Sequence, residues 1–321
     1  MGELTKFLFE GLPVRGTLVR LSESWQELLR RRGDADAQPP QVQGLLGEMV
    51  AAGLLMHAHI KFEGALVLQI FGDGPVKLAV TEVQADLSFR ATAKVVGEVP
   101  AGAQLEALLN VKGQGRCAIT LDPKHKQPGQ QPYQSVVSLH GDRREPLQQV
   151  QQVLEHYMLQ SEQLDTRLVL AANERVAAGL LIQRVPVQGE GNLEGASRHH
   201  SEDEIGVNEA FNRIALLAAT LTREELLTLG SEQILHRLFW EETLRVFEPA
   251  APRFACRCSR ERVGNMLRSL GREESDGLIA ERGEVEVGCD FCGLQYRFDA
   301  VDVGELFTRG RDQPPATRVV Q

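Results

Sequence analysis

Residues 256–293 read CRCSRERVGNMLRSLGREESDGLIAERGEVEVGCDFCG, and the four thiols in this stretch, Cys256, Cys258, Cys289 and Cys292, decide how the rest of the chain divides. The first two form a Cys-x-Cys, the last two a Cys-x-x-Cys followed by Gly293, and 30 residues separate the pairs. Cys-x-x-Cys-Gly suits a tight knuckle, because the turn brings both sulfurs to one ion and the glycine lets backbone N–H groups approach them. Cys-x-Cys needs a bend as well, since alternate residues of an extended strand share a face without converging. Together the four predict a closed tetrahedral S₄ site, the donor set of a structural zinc with no position left open for a substrate. Spacing alone favours an inert zinc staple over a redox centre. Permanent disulfides are disfavoured in a reducing compartment, and an iron–sulfur cluster by the spacing.

Working outward, Val263, Met266, Leu267 and Leu270 mark a helix between the two pairs, inside a small module spanning 246–307 and followed by a tail at 308–321. So few apolar residues do not make a core that stands without help. Upstream, 187–245 reads as a flexible and helical linker. It opens with an acidic, glycine-bearing stretch that has little to pack, then shows amphipathic helix positions at Phe211, Ile214, Leu217, Ala218 and Leu221. Thr222 and Glu225 form a capping box, and Ile234, Leu235, Leu238 and Phe239 a further apolar face. These helices are apolar on one side and lack an obvious partner.

Residues 1–186 mix both periods and predict one α+β domain, with a mostly antiparallel sheet from strand-like runs at 65–71, 76–83, 87–96, 116–121, 134–139, 167–172 and 179–185. Ser24 and Glu27 suggest a capping box for a first helix with Trp25, Leu28 and Leu29. A second helix carries one apolar stripe through Val42, Leu45, Leu46, Met49, Val50, Gly53 and Leu54, and a third covers 147–160, with apolar positions from Leu147 to Met158. The overall fold class is thus α+β: a sheet-and-helix domain, a helical linker and a small C-terminal zinc module.

At 321 residues the chain allows two or three domains, and with 42% hydrophobic and 25% charged residues it has the composition of a soluble protein. No apolar run approaches a membrane span, and residues 1–12 lack the features of a secretory signal, so the expected location is the cytoplasm, with no membrane partner. A formal charge of −9 argues against a nucleic-acid partner, because phosphate binding needs clustered Lys and Arg.

Other residues attract attention without a matching set. Cys117 reads as a buried, inert cysteine. His57 and His59 read as helix-end residues, His199 and His200 as part of a solvated loop, and Asp73 in Gly72-Asp73-Gly74-Pro75 as part of a hairpin turn. No nucleophile–base set emerges, so no catalytic residues are assigned and no enzyme is expected.

Several motifs together resemble one family. They are Phe9-Glu10 with Val14-Arg15-Gly16, Gly72-Asp73-Gly74-Pro75, Tyr157–Leu164 (YMLQSEQL) with Thr166-Arg167, Glu224–Leu229 (EELLTL), and Cys256-Arg-Cys258-Ser-Arg-Glu-Arg262 with Cys289-x-x-Cys292-Gly293. In these the chain resembles the bacterial redox-regulated chaperones of the heat shock protein 33 family. It departs from the family's pattern in its longer acidic stretch at 188–206 and in Cys117.

The resemblance implies that Cys256, Cys258, Cys289 and Cys292 hold one zinc ion in the reduced form. It further implies a holdase, largely inactive while reduced, that on oxidation loses zinc, forms disulfides, unfolds its C-terminal part and binds unfolding client proteins. The reduced form is expected to be a monomer and the oxidised form a homodimer. Four cysteines allow three pairings, and because neighbours in sequence meet fastest, Cys256–Cys258 and Cys289–Cys292 are the expected disulfides. Unfolding of the module frees the helices of 208–243 for clients. The absence of a Walker-type loop agrees with action without ATP. Two readings from other classes stay open: a constitutive zinc-ribbon adaptor, and a thiol–disulfide oxidoreductase using Cys289 and Cys292.

Overall fold

The computed structural model describes residues 2–32, 38–125, 129–185 and 202–308. The chain divides into two units, Met1–Ala255 and Cys256–Gln321. Its mixture of sheets and helices is the α+β class expected.

In the first unit, β1 (Glu3–Phe9), β2 (Val14–Leu21), β8 (Thr166–Ala172), β9 (Ala177–Arg184) and β10 (Leu244–Val246) form an antiparallel sheet in the order β10-β1-β2-β9-β8. A second sheet has the order β11-β5-β4-β3-β6-β7, from β3 (Gly64–Phe71), β4 (Val76–Gln84), β5 (Ser88–Val95), β6 (Arg116–Pro123), β7 (Tyr133–Ser138) and β11 (Arg253–Phe254). Its pairs are antiparallel except β11 beside β5. Helix α2 (Pro40–His57) packs against strands of both sheets. The sequence shows one apolar stripe on this helix, yet Gly47, Ala51, Ala52, Leu55 and Met56 are buried as well. A helix between two sheets has no solvent side to keep polar.

The strands β1 and β2 are absent from the sequence-based expectation, and the reason also explains the helices that seemed to lack a partner. Along β9, Ala177 and Leu181 join the core around α2, while Ala178, Leu180 and Ile182 face a separate cluster with Phe7, Phe9, Val14 and Leu18. A sheet covered on both faces loses the alternation that marks a half-exposed strand. The second face is covered by α5 (Glu202–Ala219), α6 (Arg223–Thr228) and α7 (Ser231–Phe239), through Phe211, Ile214, Ala218, Leu226, Ile234 and Leu238. Gly16 sits where Phe7 crosses β2: an added Cβ would lie 2.1 Å from the ring. The capping box at Thr222 forms, its hydroxyl accepting from the Glu225 amide.

The other expected box does not form. Helix α1 (Glu23–Arg31) starts after Ser22, the Ser24 hydroxyl has no hydrogen-bond partner, and Glu27 pairs with Arg31. Residues 72–75 do make the hairpin turn, and the Asp73 carboxylate accepts from the Lys112 and Gln114 amides at 2.9–3.1 Å, tying down a second loop. The remaining elements are α3 (Leu105–Leu109) and α4 (Val150–Glu162). Among the described residues no helix is long and apolar enough to cross a membrane.

The second unit contains α8 (Arg260–Leu270), α9 (Arg272–Arg282), the hairpin β12 (Val285–Gly288) and β13 (Gln295–Phe298), and α10 (Ala300–Thr308). Its buried apolar cluster is Leu267, Val285, Phe298 and Val303, with partly buried residues around it. Of the four apolar positions expected on α8 only Leu267 is fully buried, while Met266 and Leu270 are 43% and 52% exposed.

Candidate metal centre

Two local structures deliver the four sulfurs. Cys256 and Cys258 lie on the extended segment before α8, whose start is fixed by the Ser259 hydroxyl accepting from the Arg262 amide. The bend that a Cys-x-Cys needs is braced from behind, where the Arg262 guanidinium donates to the Arg257 carbonyl at 2.7 Å. Cys289 and Cys292 occupy the turn joining β12 to β13. There the Cys289 carbonyl accepts from the amides of Cys292 and Gly293 at 3.3 and 2.8 Å, and the Cys289 amide donates to the Leu294 carbonyl. Gly293 has φ +70°, which a side chain would strain.

The turn and the bend meet. All four Sγ atoms lie within 4.8 Å of one another, the one such cluster of potential metal ligands among the described residues. Cys256 and Cys289 Sγ are 3.6 Å apart, Cys258 and Cys292 3.4 Å. A tetrahedron with Zn–S bonds of about 2.3 Å has edges of about 3.8 Å, whereas a disulfide is about 2.05 Å. The donor set therefore fits one four-coordinate thiophilic ion, with all sites taken by protein.

Electrostatics agree with a site that needs a cation. Burial pushes the Cys256 and Cys292 thiols above the ordinary range. At Cys258 burial acts the same way but is outweighed by hydrogen bonds from Tyr296 and the neighbouring thiols, and the net shift is downward. The Tyr296 hydroxyl, bonded to Cys258, is itself pushed up to about 12. Thiols packed this closely resist ionising together, and a dication reverses that preference.

Two residues that sequence reasoning did not single out support the site. Tyr296 sits on β13, where only its period-2 position offered a signal. Arg260 lies 4.2 Å over the Phe298 ring, pairs with Asp302 at 2.7 Å and donates to the Arg297 carbonyl, clamping α8 to β13 and α10. It belongs to the Cys-Ser-Arg-Glu-Arg run, but nothing in the run reveals what it touches.

The other singled-out residues stay apart from the centre. Cys117 is buried on β6, its thiol pushed up to about 12 by burial. The His57 ring lies 3.2 Å from the Gly64 carbonyl, and the His59 ring bonds the Thr17 hydroxyl at 2.9 Å. His199 and His200 lie outside the described residues.

The profile of the Hsp33 protein family matches residues 2–299. The chain is 47% identical over 305 residues to the 33 kDa chaperonin of Chromobacterium violaceum, covering 95% of this chain and 93% of that protein. It is 40% identical to the 33 kDa chaperonin of Neisseria meningitidis serogroup A, covering 94% and 90%. Its fold is similar to the crystal structure of the 33 kDa chaperonin (heat shock protein 33 homolog) of Thermotoga maritima, with a TM-score of 0.72 and 21% identity, over 95% and 97% of the two chains.

Proposed function

The chain belongs to the heat shock protein 33 family, and from that premise we propose that it is an ATP-independent, redox-regulated holdase of the cytoplasm, not an enzyme, whose four cysteines hold one zinc ion in the resting form. The observation that carries this reading is the pairing of a closed four-thiol cluster with a unit whose buried apolar core, among the described residues, is four side chains with partly buried ones around them. Bound there, the ion supplies a four-way cross-link, and structural zinc contributes roughly 10–16 kcal/mol of apparent binding free energy in small modules. A fully buried apolar side chain contributes only about 1.5–3 kcal/mol, before the entropy of ordering the chain is subtracted.

Oxidation removes the donors. Each pair of thiolates forms one S–S bond and gives two electrons to a peroxide or hypochlorous acid, so the complete step consumes two equivalents of a two-electron oxidant. Cys256–Cys258 and Cys289–Cys292 are the disulfides we propose. Cys256 Sγ meets Cys289 Sγ and Cys258 Sγ meets Cys292 Sγ across the two halves, so pairing within each half exchanges those contacts for bonds that no longer tie the segment before α8 to the β12–β13 turn. The small unit then opens. Clients are met by apolar faces that the resting form keeps covered, those of α5–α7 and of the sheet beneath them. Association of two opened chains follows the same logic, giving a homodimer in the active state and a monomer at rest.

The test measures zinc release and suppression of a denatured protein's aggregation in parallel, before and after hypochlorous acid. Both are expected to rise together. Equal protection by the reduced, metal-loaded form sinks the switch. Metal retained under oxidant with unchanged partner affinity indicates an adaptor instead, and turnover of a disulfide substrate independent of the metal an oxidoreductase.

A further inference from the structure

Between the two sheets of the first unit, at the C-terminal end of α2 and alongside α4, lies a cavity of about 200 Å³. Its walls are apolar side chains from five elements, including Met56, Leu66, Ile119, Leu121, Met158 and Leu181. The polar lining falls into two bonded groups. In one, Arg15 donates through Nε and Nη2 to the Oε1 of the buried Gln183, at 3.2 and 2.5 Å, beside His59. In the other, the Tyr157 hydroxyl donates to Glu162, next to Tyr133, which is 52% exposed. Arg15 comes from the Val14-Arg15-Gly16 motif, and Tyr157, Met158, Glu162 and Leu164 from YMLQSEQL. Nothing in the redox switch uses either motif.

The charge balance of this cavity is incomplete. Arg15 is half-buried, its hydrogen bonds go to a neutral amide, and among the described residues no carboxylate lies within ion-pair distance. Glu162, the one carboxylate of the lining, is taken by Tyr157. Lys6 adds a second positive charge nearby, its ammonium donating to the Ala58 carbonyl. Burial, with Arg15 and Lys6 next in weight, holds the His59 ring down to about 3, so His59 is neutral and leaves the cationic role to Arg15. Two of the five guanidinium N–H donors are used by Gln183; the others are free for a planar anion, and carboxylate is the geometry a guanidinium matches. A partly desolvated cation without a counter-ion is costly, and an incoming carboxylate removes that cost.

We propose that this cavity is a binding site for a small amphipathic monocarboxylate, its carboxylate on Arg15 and its hydrocarbon body among the apolar walls. An engineered apolar cavity of about 150 Å³ takes benzene, so the space here suits a short chain or single ring of about eight to ten non-hydrogen atoms with its carboxylate. The site is separate from the cysteine cluster, and its occupancy does not depend on the redox reading.

The test uses the reduced, metal-loaded full chain, with calorimetry and methionine-methyl NMR, and three probes of one length: octanoate, octan-1-ol and octylammonium. Octanoate is expected to bind at one site, at least tenfold tighter than octan-1-ol and with octylammonium weakest. It should move the methyls of Met56 and Met158 and leave that of Met266 unmoved. Arg15→Gln should bring octanoate down to the level of octan-1-ol, Arg15→Lys should restore part of the difference, and Leu121→Trp, which fills the cavity, should remove both ligands while circular dichroism stays native. The proposal is overturned if octanoate binds no tighter than octan-1-ol, if binding survives Leu121→Trp, or if octanoate binds only after oxidation, as a client would.

Discussion

The two units differ in what holds them folded. In the first, α2 is enclosed between two sheets and a second cluster of Phe7, Phe9, Leu180, Ile214 and Leu238 seals the far side of one of them. In the second, the three short helices and hairpin of the described residues share four buried apolar residues, and Met266 and Leu270 of α8 stay exposed. Burial sustains the first, whereas on the proposed reading the second relies on a metal cross-link made through oxidisable sulfur. On the proposed reading a redox signal opens the second unit and, in the first, uncovers only the faces of α5–α7, while the core around α2 stays folded.

Removing the metal breaks this contrast most sharply. Chelation under reducing conditions, or Cys292→Ser, is expected to unfold the second unit outright, since the lost binding energy is on the order of 10 kcal/mol. Far-UV circular dichroism should lose the signal of α8–α10, while the urea midpoint of the first unit stays where it was. A second unit that keeps its helices without metal contradicts the account. Gly16→Ala is the converse: the new Cβ meets the Phe7 ring and should cost the first unit about 1–3 kcal/mol in urea unfolding, with zinc affinity unchanged.

Smaller effects sharpen the comparison. Arg260→Ala removes the half-exposed guanidinium from the buried Phe298 ring and breaks its pair with the partly exposed Asp302, at a cost of about 1 kcal/mol. Titration with hypochlorous acid should show zinc release at a lower dose, with the first unit unaffected. A pH-dependent effect belongs to Glu48 on α2, whose carboxyl burial raises to about 7 while Arg223 opposes the shift. The unfolded carboxyl loses its proton near 4.5, so between about 4.5 and 7 the folded state binds the extra proton, and stability of the first unit falls as pH rises through that window. Urea midpoints across pH 4.5–8 should show this slope flattened in Glu48→Gln.

The cysteine cluster was legible because its chemistry is local: a knuckle glycine and a two-residue gap specify the Cys289–Cys292 half without reference to the rest of the chain. Most strands of the second sheet were legible for a related reason, being bounded by turn residues such as Gly72-Asp73-Gly74-Pro75. What escaped depends on distant partners. β1 and β2 carry apolar residues on both faces because α2 lies on one side of their sheet and α5–α7 on the other. Read singly, each helix shows an apolar stripe and no sign of what it meets. For the same reason residues 244–254, expected as the end of the linker (to 245) and the start of the small module (from 246), instead add β10 beside β1 and β11 beside β5, pairings between positions far apart in the chain. Ser22 displaced Ser24 as the start of α1 by two residues, a margin within which local signals do not discriminate.

Hydrogen–deuterium exchange on the full chain, before and after two equivalents of hypochlorous acid per protein, tests the central claim most directly. The expected result is loss of protection across 256–308 together with new exposure in 209–239, while β3, β4 and α2 stay protected. Aggregation suppression appearing while 256–308 retains its protection would contradict it.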